Sequence, residues 1–240
     1  MSPSPPTVVL VHGAFADAAG WLGVIDELQR DGIRVLAPAN PLRGLASDAA
    51  YLTSVVEQID GPVVLAGHSY GGALITVAGT ASNVVGLVYV AAYVLEEGES
   101  LGELQGRFPG SPLAAHLEQW TCPAPDGGTA TEVTIATEAF PEMFAADVSP
   151  SVARILAVSQ RPLVTSAFTE TAEAAAWRTK PVWAVVAGAD QAINPEVERF
   201  GAERAGATVV ELDGASHAVA LSRPKAVADV IRDAVHATTR

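Results

Sequence analysis

Three polar residues follow apolar segments of the chain and together could perform nucleophilic catalysis. Ser69 lies in residues 67–71, which read G-H-S-Y-G and match the pattern G-x-S-x-G between a predicted strand and a predicted helix. A serine hydroxyl is a weak nucleophile, so it needs a neighbouring base that a third group orients. His217 follows the last predicted strand, and Asp190 follows the strand before it. We predict Ser69 as the nucleophile, His217 as the base and Asp190 as the orienting acid.

Other residues offer alternatives for the acid and the base. Asp213 lies four residues before His217 in the same loop, and Glu96 and Glu97 follow the fourth predicted strand. His236 is a weaker base candidate, because a histidine in the last turn of a helix is electrostatically favourable without any catalytic role. The chain order nucleophile, acid, base favours the aspartate that follows the fifth strand.

Glycines around Ser69 indicate a tight turn from strand to helix. Large side chains two residues before or after the serine would collide, so the turn requires Gly67 and Gly71. The N-terminus of the following helix supplies unpaired N–H groups and partial positive charge for an oxyanion. The loop after the first strand faces the same edge, so we predict the backbone N–H groups of Ala14 and Tyr70 as the oxyanion donors.

Six apolar runs of strand length alternate with helical patterns along the chain. The predicted strands are Thr7–Val11, Ile33–Ala37, Pro62–Ala66, Val84–Ala91, Val182–Ala187 and Ala207–Leu212. The predicted helices are Trp21–Arg30, one capped by Ser47, Ala73–Ala81, Pro195–Ala205 and a last one capped by Ser222. Such alternation predicts an α/β fold, with a mostly parallel sheet of about six strands and helices on both faces.

A long segment interrupts this alternation between strands four and five. We expect one domain over residues 1–240, in which residues 93–178 form a cap or lid over the carboxyl edge of the sheet, where open α/β sheets bind ligands. Aromatic residues near that edge could line a substrate pocket, although those of the segment could equally form its own core. The predicted lining residues are Phe15, Trp120, Phe140 and Phe144.

The balance of charges excludes several classes of protein. The 240 residues include 14 Lys and Arg and 27 Asp and Glu, which gives a formal net charge of −13. A nucleic-acid binder needs a basic face, which this composition does not favour. The single cysteine, Cys122, which we expect to be buried, excludes an internal disulfide framework and any multi-cysteine metal site. We predict no metal, no nucleic-acid partner, and a monomer or homodimer.

Residues 61–95 contain no Asp, Glu, Lys or Arg and are long enough to raise the question of a membrane span. Residues 67–72 and 80–83 divide this stretch into two strands and a helix, which explains its apolar composition in a globular protein. Residues 1–6 lack the positive start and the apolar centre of a signal peptide. We therefore predict no membrane association and a cytoplasmic location.

With these motifs in order, the chain resembles the α/β-hydrolases, and among them the small esterases related to plant methylesterases and hydroxynitrile lyases. The resemblance rests on His12-Gly13, residues 67–72, residues 188–190 and residues 214–217. It implies the Ser69, Asp190 and His217 triad, carboxylic-ester hydrolysis through an acyl-enzyme, and no cofactor. Hydroxynitrile lyases of this branch carry Thr where Gly13 stands and Lys where Ala218 stands, so the resemblance disfavours cyanohydrin cleavage.

The expected substrate is a small, largely apolar carboxylic ester. The same triad could instead hydrolyse thioesters, lactones or C–C bonds or act as a perhydrolase, because pocket shape decides among these reactions. A ligand-binding receptor on a hydrolase fold is a further alternative, but binding alone needs no aligned base.

Overall fold

The computed structural model describes residues 5–124 and 127–239. Its helices and strands are, in chain order, β1 (Thr7–Val11), α1 (Leu22–Arg30), β2 (Val35–Leu36), α2 (Leu45–Glu57), β3 (Val63–His68), α3 (Tyr70–Ala78), β4 (Val84–Val90), α4 (Leu101–Gln105), β5 (Leu117–Pro123), β6 (Thr129–Ile135), α5 (Phe140–Phe144), α6 (Pro150–Val158), β7 (Leu163–Val164), β8 (Val182–Ala187), α7 (Pro195–Arg204), β9 (Thr208–Leu212), α8 (Val219–Ser222) and α9 (Pro224–Thr238). Short 3₁₀ helices lie at Ala18–Trp21, Pro112–His116, Thr165–Phe168 and Ala176–Arg178.

Six strands form one parallel sheet in the order β2-β1-β3-β4-β8-β9, which confirms the predicted α/β fold. The chain adds β2 on one side of β1 and then returns to add β3 on the other side. The loops after β1 and β3 therefore meet at the point where the direction of winding reverses, which is where open α/β sheets bind ligands. The edge strand β2 has two residues, fewer than predicted.

Apolar residues on alternate sides of the strands pack into two separate cores. Val8 and Leu10 of β1 face a core formed with α1, α8 and α9, whereas Val9 and Val11 face a core formed with α2 and α3. Because successive side chains of a strand point to opposite faces, one uninterrupted apolar run serves both cores. The sheet is thus covered on both faces, as predicted.

Four helices begin at other residues than predicted, and α1 begins at Leu22, one residue later than predicted. The N-cap of α2 is Gly44, with φ +133°, and Ser47 lies inside the helix, where its hydroxyl donates to the Gly44 carbonyl. Ser222 ends the short helix α8, so α9 begins at Pro224, whose fixed φ suits a first helical position. Helix α3 starts directly after Ser69, three residues earlier than predicted.

The segment between β4 and β8 has a small sheet of its own, which was not predicted from the sequence. Strands β5, β6 and β7 form an antiparallel sheet, and β5 and β6 pair along seven residues each. Cys122 on β5 is half-buried rather than buried. Backbone hydrogen bonds tie the segment to the loops of the large sheet, at Phe15 N to Arg161 O and at Ala218 N to Phe144 O. Its interpretation as a cap stays a prediction.

Residues 61–95, which contain no charged side chain, form strands β3 and β4 of the large sheet and the helix α3 between them. Across residues 5–124 and 127–239, no helix has both the length and the apolar character that crossing a bilayer requires.

Candidate active site

Ser69 stands in a strained turn between β3 and α3. Its backbone has φ 55° and ψ −122°, a conformation that residues with a Cβ atom adopt at a cost. Two neighbouring glycines make the turn possible. A Cβ atom on Gly67 would lie 2.5 Å from the Gly71 carbonyl oxygen, and one on Gly71 would overlap the carbonyl oxygen of Val11. The turn is therefore held by close backbone packing.

We expect Ser69→Gly to be more stable than Ser69→Ala, although both lack the hydroxyl. Glycine relieves a strain of about 1–3 kcal/mol, and its larger entropy in the unfolded chain offsets part of this. The net gain should be about 1 kcal/mol, which raises Tm by about 2–4 °C. Thermal denaturation of the two variants measures it, and alanine is the matched control because it keeps the Cβ atom. Equal Tm values would contradict the prediction, because the strain would then be no larger than the entropic cost of glycine.

The loop after β1 lies directly against Ser69. A Cβ atom on Gly13 would lie 2.6 Å from Ser69 Cβ and 2.9 Å from the His68 carbonyl oxygen, so only glycine allows this approach. His12 anchors the loop: its Nε2 accepts from Asn40 N–H at 2.9 Å, and Asn40 Nδ2 donates to the His12 carbonyl at 3.2 Å. Burial lowers the pKa of His12, in keeping with a neutral ring that accepts this bond.

Two backbone N–H groups at this point suit an oxyanion. Ala14 and Tyr70, the residues predicted as donors, both line the cavity that Ser69 lines. The N–H of Ala14 has no hydrogen-bond partner in the part of the chain that the structure describes. Tyr70 is the first residue of α3, where an N–H group has no partner within the helix. Both can donate to a bound oxygen atom.

The predicted base and acid are joined by a short hydrogen bond. His217 Nδ1 donates to Asp190 Oδ2 at 2.5 Å, and both side chains are almost completely buried. Asp190 Oδ1 accepts from the N–H groups of Ala192 and Ile193, at 2.6 and 2.9 Å. Asp190 therefore accepts every one of these bonds, as an ionised carboxylate does. With the proton on Nδ1, His217 has a free lone pair on Nε2.

Two aromatic rings pack against the ring of His217. Neither was predicted in this role. His68 and Phe144 lie with ring centroids 4.6 and 4.7 Å from that of His217. His68 Nε2 also donates to the His217 carbonyl at 2.9 Å. Burial lowers the pKa of His68 to about 3, so this ring is neutral at pH 7. The pattern G-x-S-x-G leaves its second position open and gave no signal for this contact.

Ser69 and His217 line the same cavity, but the structure does not join them by a hydrogen bond. Hydrogen bonds between a nucleophile and its base are often long in the absence of substrate and tighten when substrate binds. The alternatives for the acid lie elsewhere: Asp213 is exposed, and Glu96 forms an ion pair with Arg178 at 2.6 Å. Only Asp190 among the acid candidates contacts the base.

A side-chain hydrogen bond anchors the first residue of α3. The hydroxyl of Tyr70 donates to Asp48 Oδ2 at 2.9 Å, and the Arg43 N–H donates to both oxygens of the same carboxyl group at 3.0 Å. Burial raises the pKa of Asp48. The first turn of α2 thus holds the turn that carries Ser69.

Two cavities adjoin this arrangement, and Phe15 lines both. The first is the one that Ser69 and His217 line, and together with its part open to solvent it spans about 510 Å³. Its apolar lining includes Leu101, Leu113, Leu117, Leu163, Phe168 and Ile193. The second, which spans about 520 Å³ together with its part open to solvent, is lined by His68 and by apolar residues that include Trp21, Phe140, Phe144, Leu156 and Leu221.

The predicted pocket residues are therefore only partly placed as expected. Phe15 lines the Ser69 cavity, but Phe140 and Phe144 line the second cavity instead. The prediction for Trp120 is wrong: its side chain is 55% exposed on β5, where Nε1 donates to Thr134 Oγ1 of the paired strand. Within residues 5–124 and 127–239, no three His, Cys, Asp or Glu side chains gather as metal ligands.

Known proteins share this architecture. A carbendazim hydrolyzing esterase of Nocardioides sp. (strain SG-4G) is 34% identical over 136 residues, a match that covers 46% of this chain and 55% of that protein. The chain thus matches about half the length of this curated relative. The crystal structure of polyneuridine aldehyde esterase superposes with a TM-score of 0.82 at 20% identity, covering 96% of this chain and 99% of the other.

A pyrethroid hydrolase from Sphingobium faniae JZ-2 superposes with a TM-score of 0.78 at 22% identity, covering 98% of each chain. At these identities the two structures establish likeness of fold. The sequence profile of the Alpha/beta hydrolase family matches residues 8–230, which include Ser69, Asp190 and His217. With nearly its whole length matched, the chain belongs to the alpha/beta hydrolase family.

Proposed function

We propose that this protein is a serine hydrolase that cleaves small, uncharged, largely apolar carboxylic esters through an acyl-enzyme intermediate. The observation that carries the proposal is the buried 2.5 Å hydrogen bond from His217 to Asp190, beside a cavity that Ser69 also lines. The names of the similar proteins support it, since two are called esterases and one a hydrolase.

Acylation begins when Ser69 Oγ attacks the ester carbonyl carbon and His217 Nε2 takes the hydroxyl proton. The carbonyl oxygen becomes an oxyanion, to which the N–H groups of Ala14 and Tyr70 donate hydrogen bonds. Asp190 stabilises the imidazolium that forms and keeps its ring oriented. The C–O bond to the alcohol then breaks, and Nε2 returns the proton to the departing alkoxide.

Deacylation repeats these steps with water as the nucleophile. His217 Nε2 takes a proton from water as its oxygen attacks the acyl carbon, and the same N–H groups hold the second oxyanion. The bond to Ser69 Oγ breaks, the serine regains its proton, and the carboxylic acid leaves. Each turnover consumes one ester and one water molecule and regenerates the Ser69 and His217 side chains.

The lining of the Ser69 cavity favours uncharged substrates. In the part of the chain that the structure describes, no Lys or Arg side chain lines this cavity, so a carboxylate on the substrate would have no counter-ion. The polar lining outside the catalytic residues comes from the tyrosines and from Gln105 and Ser111. Residues of the 93–178 segment supply much of the apolar lining, which supports the proposal that this segment is a cap.

Hydrolysis of p-nitrophenyl acetate, butyrate, hexanoate and octanoate tests the proposal. The mono-p-nitrophenyl ester of adipic acid tests the effect of a charge on the substrate. It has the six-carbon acyl chain of the hexanoate, with a carboxylate at its end. We expect turnover of the neutral esters and a kcat/KM for the adipate lower by at least about 10-fold. Absence of turnover with every ester from folded protein would contradict the proposal. Thioester and lactone substrates in the same panel distinguish the related reactions.

Phe15→Ala should shift the preference towards longer acyl chains. Phe15 lines both cavities, so we expect removal of its ring to join them and to open space beyond the acyl site. We expect the ratio of kcat/KM for octanoate to that for acetate to rise by about 10-fold, the effect of one or two accommodated methylene groups. A general loss of active protein lowers kcat/KM for both esters equally, so it leaves this ratio unchanged.

Leu113→Ala is the matched control for Phe15→Ala. Leu113 lines only the Ser69 cavity, on the side of the 93–178 segment, so its truncation enlarges that cavity without joining the second one. A ratio that rises equally in both variants, or in neither, would show that Phe15 does not separate the two spaces.

A further inference from the structure

A second carboxyl group lies buried behind Asp190. Glu198, on α7, is only 3% exposed, and its Oε2 accepts the N–H of Ala187 at the end of β8, at 2.9 Å. Its other oxygen, Oε1, is buried and has no donor among the described residues. Asp190 adjoins the same residue, because its N–H donates to the Ala187 carbonyl at 3.2 Å, and its charge acts on the Glu198 carboxyl. A hydrogen bond between two neighbouring carboxyl groups forms only if one of them holds a proton.

The proton belongs on Glu198. Asp190 already accepts three hydrogen bonds, from two backbone N–H groups and from His217, so its oxygens act as acceptors. Two ionised carboxylates at this buried position would repel each other strongly. Burial, and then the charge of Asp190, raise the pKa of Glu198 well above its ordinary value.

Among the residues that the structure describes, no cation at this position removes the need for that proton. Tyr93 faces both carboxyl groups, and burial raises its pKa, so it stays neutral over the range of pH 5–8. Arg199, the cation nearest to Glu198 along α7, is exposed and bound to Glu211 at 2.6 Å. The Asp190 charge is therefore balanced by hydrogen bonds rather than by a cation.

We propose that Glu198 is a positioning residue that keeps its proton and donates it in a hydrogen bond to Asp190, so that Asp190 stays ionised and presents Oδ2 to His217. This rests on the proposed function in so far as Asp190 serves the catalytic base. The proton on Glu198 is independent of that function and has its own consequence for stability.

The native protein then retains a proton that the unfolded chain releases. A glutamic acid in an unfolded chain ionises near pH 4.3. Above that pH the folded state binds one more proton than the unfolded state, so this group lowers the stability of the folded state as the pH rises. Glu198→Gln has no such proton. Its amide can donate to Asp190 and its carbonyl can accept from Ala187, so it preserves the network without the titration.

The test measures Tm between pH 5 and pH 8 for the native protein, Glu198→Gln and the matched control Glu196→Gln, which changes an exposed residue of the same helix. We expect the Tm of Glu198→Gln relative to the native protein to rise by about 3 °C per pH unit. The difference for Glu196→Gln should stay constant. A constant difference for Glu198→Gln would overturn the assignment of the proton.

Kinetics test the positioning role. Glu198→Leu removes the donor, and we expect its kcat for p-nitrophenyl butyrate to fall by about 10-fold or more with little change in KM. Glu198→Gln should restore most of this loss, which a role in packing alone does not predict. A native kcat in Glu198→Leu would overturn the positioning role. If the native protein hydrolyses no ester while the Tm shift is present, the proposed function fails and the proton on Glu198 stands.

Discussion

Replacing Ser69 with alanine should lower kcat/KM for p-nitrophenyl butyrate by about 10⁵-fold and leave the fold intact. The variant lacks the atom that attacks the carbonyl carbon, so only binding and the oxyanion donors remain to assist attack by water. The structure gives no reason for unfolding, because alanine keeps the Cβ atom and the backbone conformation of Ser69. Steady-state kinetics with the native and variant proteins, together with their Tm values, make the measurement.

Ser54→Ala is a suitable control for Ser69→Ala. Ser54 is exposed on α2, and its hydroxyl donates only to the Tyr51 carbonyl of the preceding turn. Its variant should have native activity. Hydrolysis by Ser69→Ala within 10-fold of the native rate would mean that another group performs the attack.

Asp190→Asn should lower kcat by about 10⁴-fold with a much smaller effect on KM. Oδ1 is held by the N–H groups of Ala192 and Ile193, so the asparagine oxygen takes that position and its NH₂ group faces His217. His217 Nδ1 must then accept, and the proton moves to Nε2. A ring with its proton on Nε2 cannot take the proton of Ser69.

Asp213→Asn is the matched control for Asp190→Asn. Asp213 lies in the same loop as His217, but it is exposed and does not contact the ring. We expect native kcat for Asp213→Asn. Loss of activity in Asp213→Asn, with activity kept in Asp190→Asn, would show that the acid has been assigned wrongly.

The six strands of the large sheet could be predicted because buried parallel strands are short continuous apolar runs. The start of α3 could not, because Gly71 and Gly72 have low helix propensity and suggest a loop. In the structure both lie in the helix, since a Cβ atom on Gly72 would lie 2.7 Å from Ala92 Cβ. Close packing against the neighbouring strand end overrides propensity there.

The β5–β6 hairpin was missed although the sequence contains its signal. Strand β6 has a β-branched residue at every second position from Thr129 to Ile135, and Gly127 and Gly128 precede it, a typical hairpin pattern. Pro123, which ends β5, favoured a loop instead. Because β5 has mostly exposed side chains, it lacks the apolar run that identified the other strands.

The positions of Ser69, Asp190 and His217 could be predicted because each follows a strand of one parallel sheet, and such strands end at the same edge. Glu198 could not be, since a glutamate among the polar residues of α7 is expected on the surface. Its burial comes from the packing of α7 on β8. Trp120 failed for the opposite reason, because aromatic character alone does not indicate which face of a hairpin is covered.

Covalent labelling identifies directly which side chain acts as the nucleophile. The native protein is incubated with diisopropyl fluorophosphate, digested and analysed by mass spectrometry while residual esterase activity is followed. We expect one diisopropylphosphoryl group per chain, on Ser69, formed in proportion to the loss of activity and absent from Ser69→Ala. An adduct on a different residue, or full loss of activity without an adduct on Ser69, would contradict this expectation.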